Sequence, residues 1–115
     1  MKAGKYDITI EQGAGFELPL SYTADGDLVD LTGSQARLQI REKVGSSVVL
    51  VELTTENDGI TLGGVDGTIS LTMTAEATSA LRFSRAVYDL EIVPPGNEPY
   101  RPLEGNVFLD REVTR

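Results

Sequence analysis

The chain contains no cysteine and no histidine in 115 residues. Disulfides, zinc held by Cys or His, cysteine nucleophiles and triads with a histidine base are therefore excluded, and most hydrolytic mechanisms go with them. Cations are also scarce. Ten Lys and Arg face 18 Asp and Glu, which leaves a net charge of −8. Nucleic acids are polyanions gripped mainly by Lys and Arg, so no nucleic-acid partner is expected. No stretch approaches the roughly 20 consecutive apolar residues of a membrane span. The opening Met1 to Ile10 lacks the apolar run of a secretory signal. These absences lead to the expectation of a soluble product of a cytoplasm with no membrane partner. The length suits one domain spanning 1–115, with a core of about 5–109 and a polar C-terminal tail over 110–115.

What the chain does contain is alternation. In the stretch from Leu28 to Glu42, Ala36, Leu38 and Ile40 point one way and Arg37, Gln39 and Arg41 the other. That period of two marks a strand with one buried face. Ile8 and Ile10, then Phe16 to Tyr22, then Ile69, Leu71 and Met73, then Tyr88, Leu90 and Ile92 repeat the pattern. Pro19 has no N–H for a ladder, so its strand is expected at an edge. Val48 to Leu53 is a nearly unbroken apolar run, expected as a strand covered on both faces, with a short buried helix as the other option. One segment reads as helix: Thr74 as cap, Glu76 in the first turn, then Ala77, Ala80 and an anchoring Leu81. It is short enough to be a crossover between strands. Gly105 inside the last strand implies a bulge or the close approach of another backbone. Tyr88 resembles the tyrosine corner of Greek-key sandwiches, or else is a core tyrosine with its hydroxyl at the rim. About seven or eight short strands with turns between them predict an antiparallel sandwich.

Candidate chemistry is thin. Asp25, Asp27, Asp30, Asp58 and Asp66 fall in turns, where calcium could find oxygen ligands, yet Asp-Gly and Asn-Asp-Gly are ordinary turn vocabulary and no EF-hand spacing occurs. Glu52, Glu56, Glu91 and Glu104 could supply a glycosidase pair, but nothing distinguishes them from any acidic surface. No phosphate-binding glycine loop is present, and no serine has a suggestive base. The expectation is no enzyme, no cofactor and no metal site. Arg37 and Arg41 on the outward face of the central strand, Arg85 beside Phe83, and Arg111 in the tail are the expected interface residues. A cation set in an acidic protein suits salt bridges to a neighbour, although a solvated surface charge is the plainer alternative. Phe83 and Phe108 are expected outside or at a rim.

The order of motifs adds a resemblance. Val29-Asp-Leu-Thr-Gly33, Ala36-Arg-Leu-Gln-Ile-Arg41, Gly67-Thr-Ile-Ser-Leu-Thr-Met-Thr74, Ala86-Val-Tyr-Asp-Leu-Glu-Ile92 and Leu103-Glu-Gly-Asn-Val107 together resemble small bacteriophage and prophage structural proteins. Their described relatives carry an immunoglobulin-like N-terminal domain of phage upper baseplate proteins. The resemblance runs from about Gly13 to Leu109. It implies an all-β, immunoglobulin-like sandwich serving as a structural part of a tailed-phage virion, in tail or baseplate, assembled in the bacterial cytoplasm. The implied partners are other virion proteins, with a homo-oligomer possible. A capsid decoration protein is the alternative, and a carbohydrate- or calcium-dependent adhesion module is the second.

Overall fold

The computed structural model describes residues 4–24 and 26–113. In chain order these form β1 (Gly4–Lys5), β2 (Ile8–Glu11), β3 (Phe16–Ser21), β4 (Thr23–Ala24), β5 (Asp27–Leu28), β6 (Gln35–Arg41) and β7 (Val51–Thr54). There follow β8 (Ile60–Leu62), a 3-10 turn at Gly64–Asp66, β9 (Thr68–Met73), the helix α1 (Ala75–Ser79), β10 (Arg85–Val93) and β11 (Tyr100–Asp110). Eight of these strands have three residues or more, which matches the expected count. The extra pieces are the two-residue β1, β4 and β5.

One sheet runs β1-β11-β10-β6-β7, with β2 following β1 along the same side of β11; the second runs β3-β9-β8. β1 and β2 lie parallel to β11, and the other neighbours are antiparallel. Two such sheets face to face make an immunoglobulin-like sandwich. Its middle is filled by alternate residues of each strand. β6 buries Ala36, Leu38 and Ile40, β10 buries Ala86, Tyr88, Leu90 and Ile92, and Ile60, Ile69 and Leu71 close the core from the other sheet. Each large aliphatic side chain buried this way contributes about 1.5–3 kcal/mol. The opposite side chains of β6 and β10 face outward together, and they make the surface considered below.

α1 forms where its cap chemistry places it. The Thr74 hydroxyl accepts the Ala77 N–H at 3.1 Å, and Leu81 is buried just beyond the helix. Thr78, fully buried, ties the helix to the chain after β2: its hydroxyl accepts the Gly13 N–H at 3.0 Å and donates to the Ala14 carbonyl at 2.8 Å. β3 lies at an edge of its sheet, as Pro19 requires.

Gly105 answers to close approach. A Cβ there would overlap the Tyr6 carbonyl, which crosses over the strand between β1 and β2. The same carbonyl accepts the Tyr88 hydroxyl at 2.6 Å. Tyr88 therefore clamps the incoming N-terminal strand, far along the chain, instead of making the local tie of a tyrosine corner. Burial first, and then the nearby Asp7 carboxylate, push its hydroxyl pKa above the ordinary tyrosine value.

Three expectations are corrected here. The run Val48 to Leu53 is not a covered strand: β7 begins only at Val51, Leu53 is buried, and Val48, Val49 and Leu50 stand 61%, 38% and 37% exposed. The chain there is leaving the loop after β6, and no layer of the sandwich passes over it. Phe83 is not outside. It packs half-buried against the core beside Leu81, because it follows α1 as the chain returns to the first sheet. The tail is tied down as far as Glu112, through the Arg111 side chain to the Arg82 carbonyl at 3.0 Å and the Glu112 N–H to the Gln12 side chain at 3.0 Å.

Candidate interaction surface

The outward side chains of β6, β10 and β11 form a ladder of paired charges. Register sets the rungs: Glu91 lies opposite Arg37, Asp89 opposite Gln39 and Glu104, and Gln39 opposite Glu52. Arg37 pairs with Glu91, Lys5 with Glu104, and Arg101 with Asp89 at 3.2 Å. Gln39 donates to Glu52 at 2.7 Å and accepts from Arg41 at 2.8 Å. Arg41 also donates to the Ser46 carbonyl at 2.6 Å, which closes the loop between β6 and β7. Glu91 holds the Arg37 guanidinium above its ordinary pKa, by hydrogen bond first and charge second. On this face Lys5, Arg37, Arg41 and Arg101 balance Glu52, Asp89, Glu91 and Glu104. The whole net charge of −8 therefore resides elsewhere on the protein.

A shallow hollow of about 360 Å³ sits in this face between Lys5, Arg41, Val44, Val87, Arg101 and Asn106. Val44, 89% exposed, stands at one rim, and the exposed Val48, Val49 and Leu50 belong to the same loop. At the end of the face the Arg85 guanidinium lies 5.5 Å from the centre of the Phe108 ring, which is partly exposed. A second opening, about 230 Å³, is an apolar notch between the sheets lined by Tyr6, Leu20, Tyr22, Ile69, Leu90 and Leu103.

Of the expected interface residues, Arg37, Arg41 and Arg85 share this one face. Phe83 is turned into the core, and Arg111 is engaged with the backbone of Arg82. Sequence reasoning missed the strip 44–50, since an apolar run reads as buried unless something marks it otherwise. The only such mark is Val44-Gly-Ser-Ser47 directly before it, which is loop chemistry. The aspartates do not converge. Among the described residues no three His, Cys, Asp or Glu side chains gather as a metal site, and Asp25 lies outside the described residues. Asp30 serves its own turn: its carboxylate accepts the N–H of Thr32 at 2.9 Å and the hydroxyl at 2.6 Å, and the hydroxyl bond first holds its pKa below the ordinary value. The four glutamates considered as catalytic pairs each have partners. Glu56 accepts from the Thr55 hydroxyl at 3.0 Å, and the others belong to the ladder.

No family model and no curated protein matches the chain. Solved structures do. The extracellular domain of the voltage-gated sodium channel beta4 subunit, described as parallel homodimers that explain its role in cell–cell adhesion, is similar at 15% identity and a TM-score of 0.47, covering 98% of each chain. A further sodium-channel beta-subunit structure, from work on multimeric cell-adhesive interactions, is similar at 17% identity and a TM-score of 0.46, over 97% of this chain and 96% of that one. Extracellular domains 3–5 of Drosophila OTK are similar at 16% identity and a TM-score of 0.37, over 90% of this chain and 32% of that one.

The virion reading is corrected accordingly: these neighbours are extracellular domains, two of them from cell-adhesion proteins, and none is a phage part. The motifs that suggested tail, baseplate or capsid decoration are explained by the sandwich itself. Val29-Asp-Leu-Thr-Gly33 is a turn held by Asp30, with Gly33 at φ +76°, and the other motifs are alternating strands in their registers.

Proposed function

We propose that the chain is a non-enzymatic protein-interaction module that docks face to face with folded proteins through β6, β10 and β11, a second copy of itself first among them. The observation that carries this reading is the separation of charge. A protein of net charge −8 repels its own copies everywhere except on a face where cations and carboxylates alternate and cancel. Mixed charge also makes the face self-complementary, since a two-fold axis can set each cation row against a carboxylate row. Its size fits. Five strands spaced about 4.8 Å, by nine residues at about 3.3 Å each, span roughly 700 Å², against about 800 Å² per partner in standard interfaces. The exposed valines at 44 and 48 supply apolar contact at the rim. The kind of work this describes, homodimerisation in adhesion, is that reported for the sodium-channel beta4 domain.

The test is amide NMR of the whole chain from about 10 µM to about 1 mM at low salt, the upper value corresponding to about −4 kcal/mol of association. Concentration-dependent shifts should map to β6, β10 and the loop 44–50, and Val48→Asp should weaken them several-fold. No shifts at the top concentration, or shifts confined to β3, β8 and β9, would overturn the proposal.

A further inference from the structure

The free edge of β7 is occupied by a side chain. Thr55 donates its N–H to the Ala36 carbonyl across the ladder, so by the two-residue period the N–H groups of Glu52 and Thr54 point the other way, off the edge of the sheet. There the Asn57 amide meets them. Its Oδ1 accepts the Thr54 N–H at 2.9 Å, and its Nδ2 donates to the Glu52 carbonyl at 3.0 Å. One amide thus makes the two bonds that a residue of an added strand would make. It is held in place from its own turn: the Asn57 N–H donates to the Thr54 hydroxyl at 2.9 Å, and Oδ1 also accepts the Gly59 N–H at 2.8 Å.

The other edges of the described sandwich are poor templates. On β3 the N–H groups of Leu18, Leu20 and Tyr22 share the side facing β9, as the bond from Tyr22 to Gly67 fixes, so Pro19 removes a donor from the middle of the open edge. β8 has three residues. The pair β1 and β2 is broken at Tyr6 and Asp7. β7 alone runs directly on from an exposed apolar strip, Val48–Leu50. An open strand edge beside apolar surface is where chains pair with one another.

We infer that residues 48–54 are a strand-addition site for the same segment of a second copy, closed in the resting protein by the Asn57 amide. The occupant follows from the edges themselves: β7 is the one edge of another copy able to pair with it, and a two-fold axis makes that pairing antiparallel and self-matching. Pairing would also cover part of Val48, Val49 and Leu50 on both copies. The site differs from the face proposed for docking, because it engages backbone groups at the rim instead of side chains on the sheet.

The test compares the native chain with Asn57→Ala by sedimentation velocity and by amide hydrogen exchange, on samples whose circular dichroism matches. The native chain sets the baseline, so any association through the face is subtracted and only the excess in the variant bears on the edge. Asn57→Ala should associate at a concentration at least ten-fold lower than the native chain. Adding Glu52→Pro, which deletes an edge N–H and leaves the β6 ladder bonds, should return it to baseline. Should Asn57→Ala fail to fold, Asn57→Asp retains the acceptor for Thr54 and loses the donor to Glu52, and should associate to an intermediate degree. A folded Asn57 variant no more associated than the native chain, or excess association that survives Glu52→Pro, would overturn the inference.

Discussion

Gly105→Ala should be among the most damaging single-methyl additions the protein can receive. In a strand interior, glycine is ordinarily a liability, and alanine would return about 0.5–1 kcal/mol. Here the new Cβ would sit inside the Tyr6 carbonyl and 3.1 Å from the Asp7 carboxylate. The obstacle is backbone, so it cannot swing aside. For the methyl group to fit, the crossing between β1 and β2 must lift from β11, and three bonds depend on that crossing. They are Tyr6 N–H to the Glu104 carbonyl at 2.9 Å, the Tyr88 hydroxyl to the Tyr6 carbonyl at 2.6 Å, and the Asn106 N–H to Asp7 at 2.9 Å. At about 1 kcal/mol each, with a further penalty for the buried Tyr88 hydroxyl left alone, the loss is about 3–4 kcal/mol. Set against the alanine gain, the net destabilisation is about 2–3 kcal/mol.

The assay is urea unfolding, with a thermal melt as a second readout. For a domain of this length the change should lower the melting temperature by roughly 10 °C. A double-mutant cycle sharpens the prediction. Tyr88→Phe alone should cost about 1–2 kcal/mol, but in the Gly105→Ala background it should cost little, since the lifted carbonyl has already lost the hydroxyl. A neutral or stabilising Gly105→Ala, or strictly additive effects, would refute the clamp.

Two further outcomes follow from the same geometry. Thr78→Val keeps the volume but deletes a fully buried hydroxyl that serves Gly13 and Ala14, so it should destabilise by about 1–3 kcal/mol in urea unfolding; a change below about 0.5 kcal/mol would refute its role. Burial raises the hydroxyl pKa of both Tyr88 and Tyr100, so the folded chain keeps protons that the unfolded chain releases above about pH 10. Stability from these groups is complete below that pH and is lost as pH rises through the folded values. The urea midpoint should therefore fall on going from pH 9 to 11, and Tyr88→Phe should flatten much of that fall.

The sequence made the sandwich legible because alternation is a property of neighbouring residues. Leu38 and Ile40, or Leu90 and Ile92, announce a buried face without reference to any partner, and Thr74 announces a cap. Pro19 and Gly105 were equally readable, since each is defined by what it lacks: an N–H in one case, a Cβ in the other. Tyr88 was harder. Its place in β10 is local, but its hydroxyl meets a carbonyl 82 residues away, and nothing in the chain's order marks that pairing. Arg37 and Arg41 were found for the right reason, their common parity on one strand. The carboxylates that balance them lie on β7, β10 and β11, so the neutral face became visible only with register in hand. The strip at 48–50 misled because hydrophobicity predicts burial only where a second layer exists to do the burying.

Face and edge together define how this sandwich can meet another protein. Strand addition is the cheaper route in specificity, since any extended segment offers the same N–H and C=O groups, and it is the route the chain obstructs: with proline in β3, with brevity in β8, with a break between β1 and β2, and with a borrowed amide on β7. What remains open is a surface whose affinity depends on matching a particular order of charges. A partner without that order meets like charges and is repelled, while edge pairing would have accepted it. On this argument the guarded edges and the balanced face are one arrangement: closing the indiscriminate contact leaves recognition to the outward side chains of β6, β10 and β11. Charge reversal on that face at Arg37 should therefore change which partner is bound, whereas removing the guard at Asn57 should remove choice altogether.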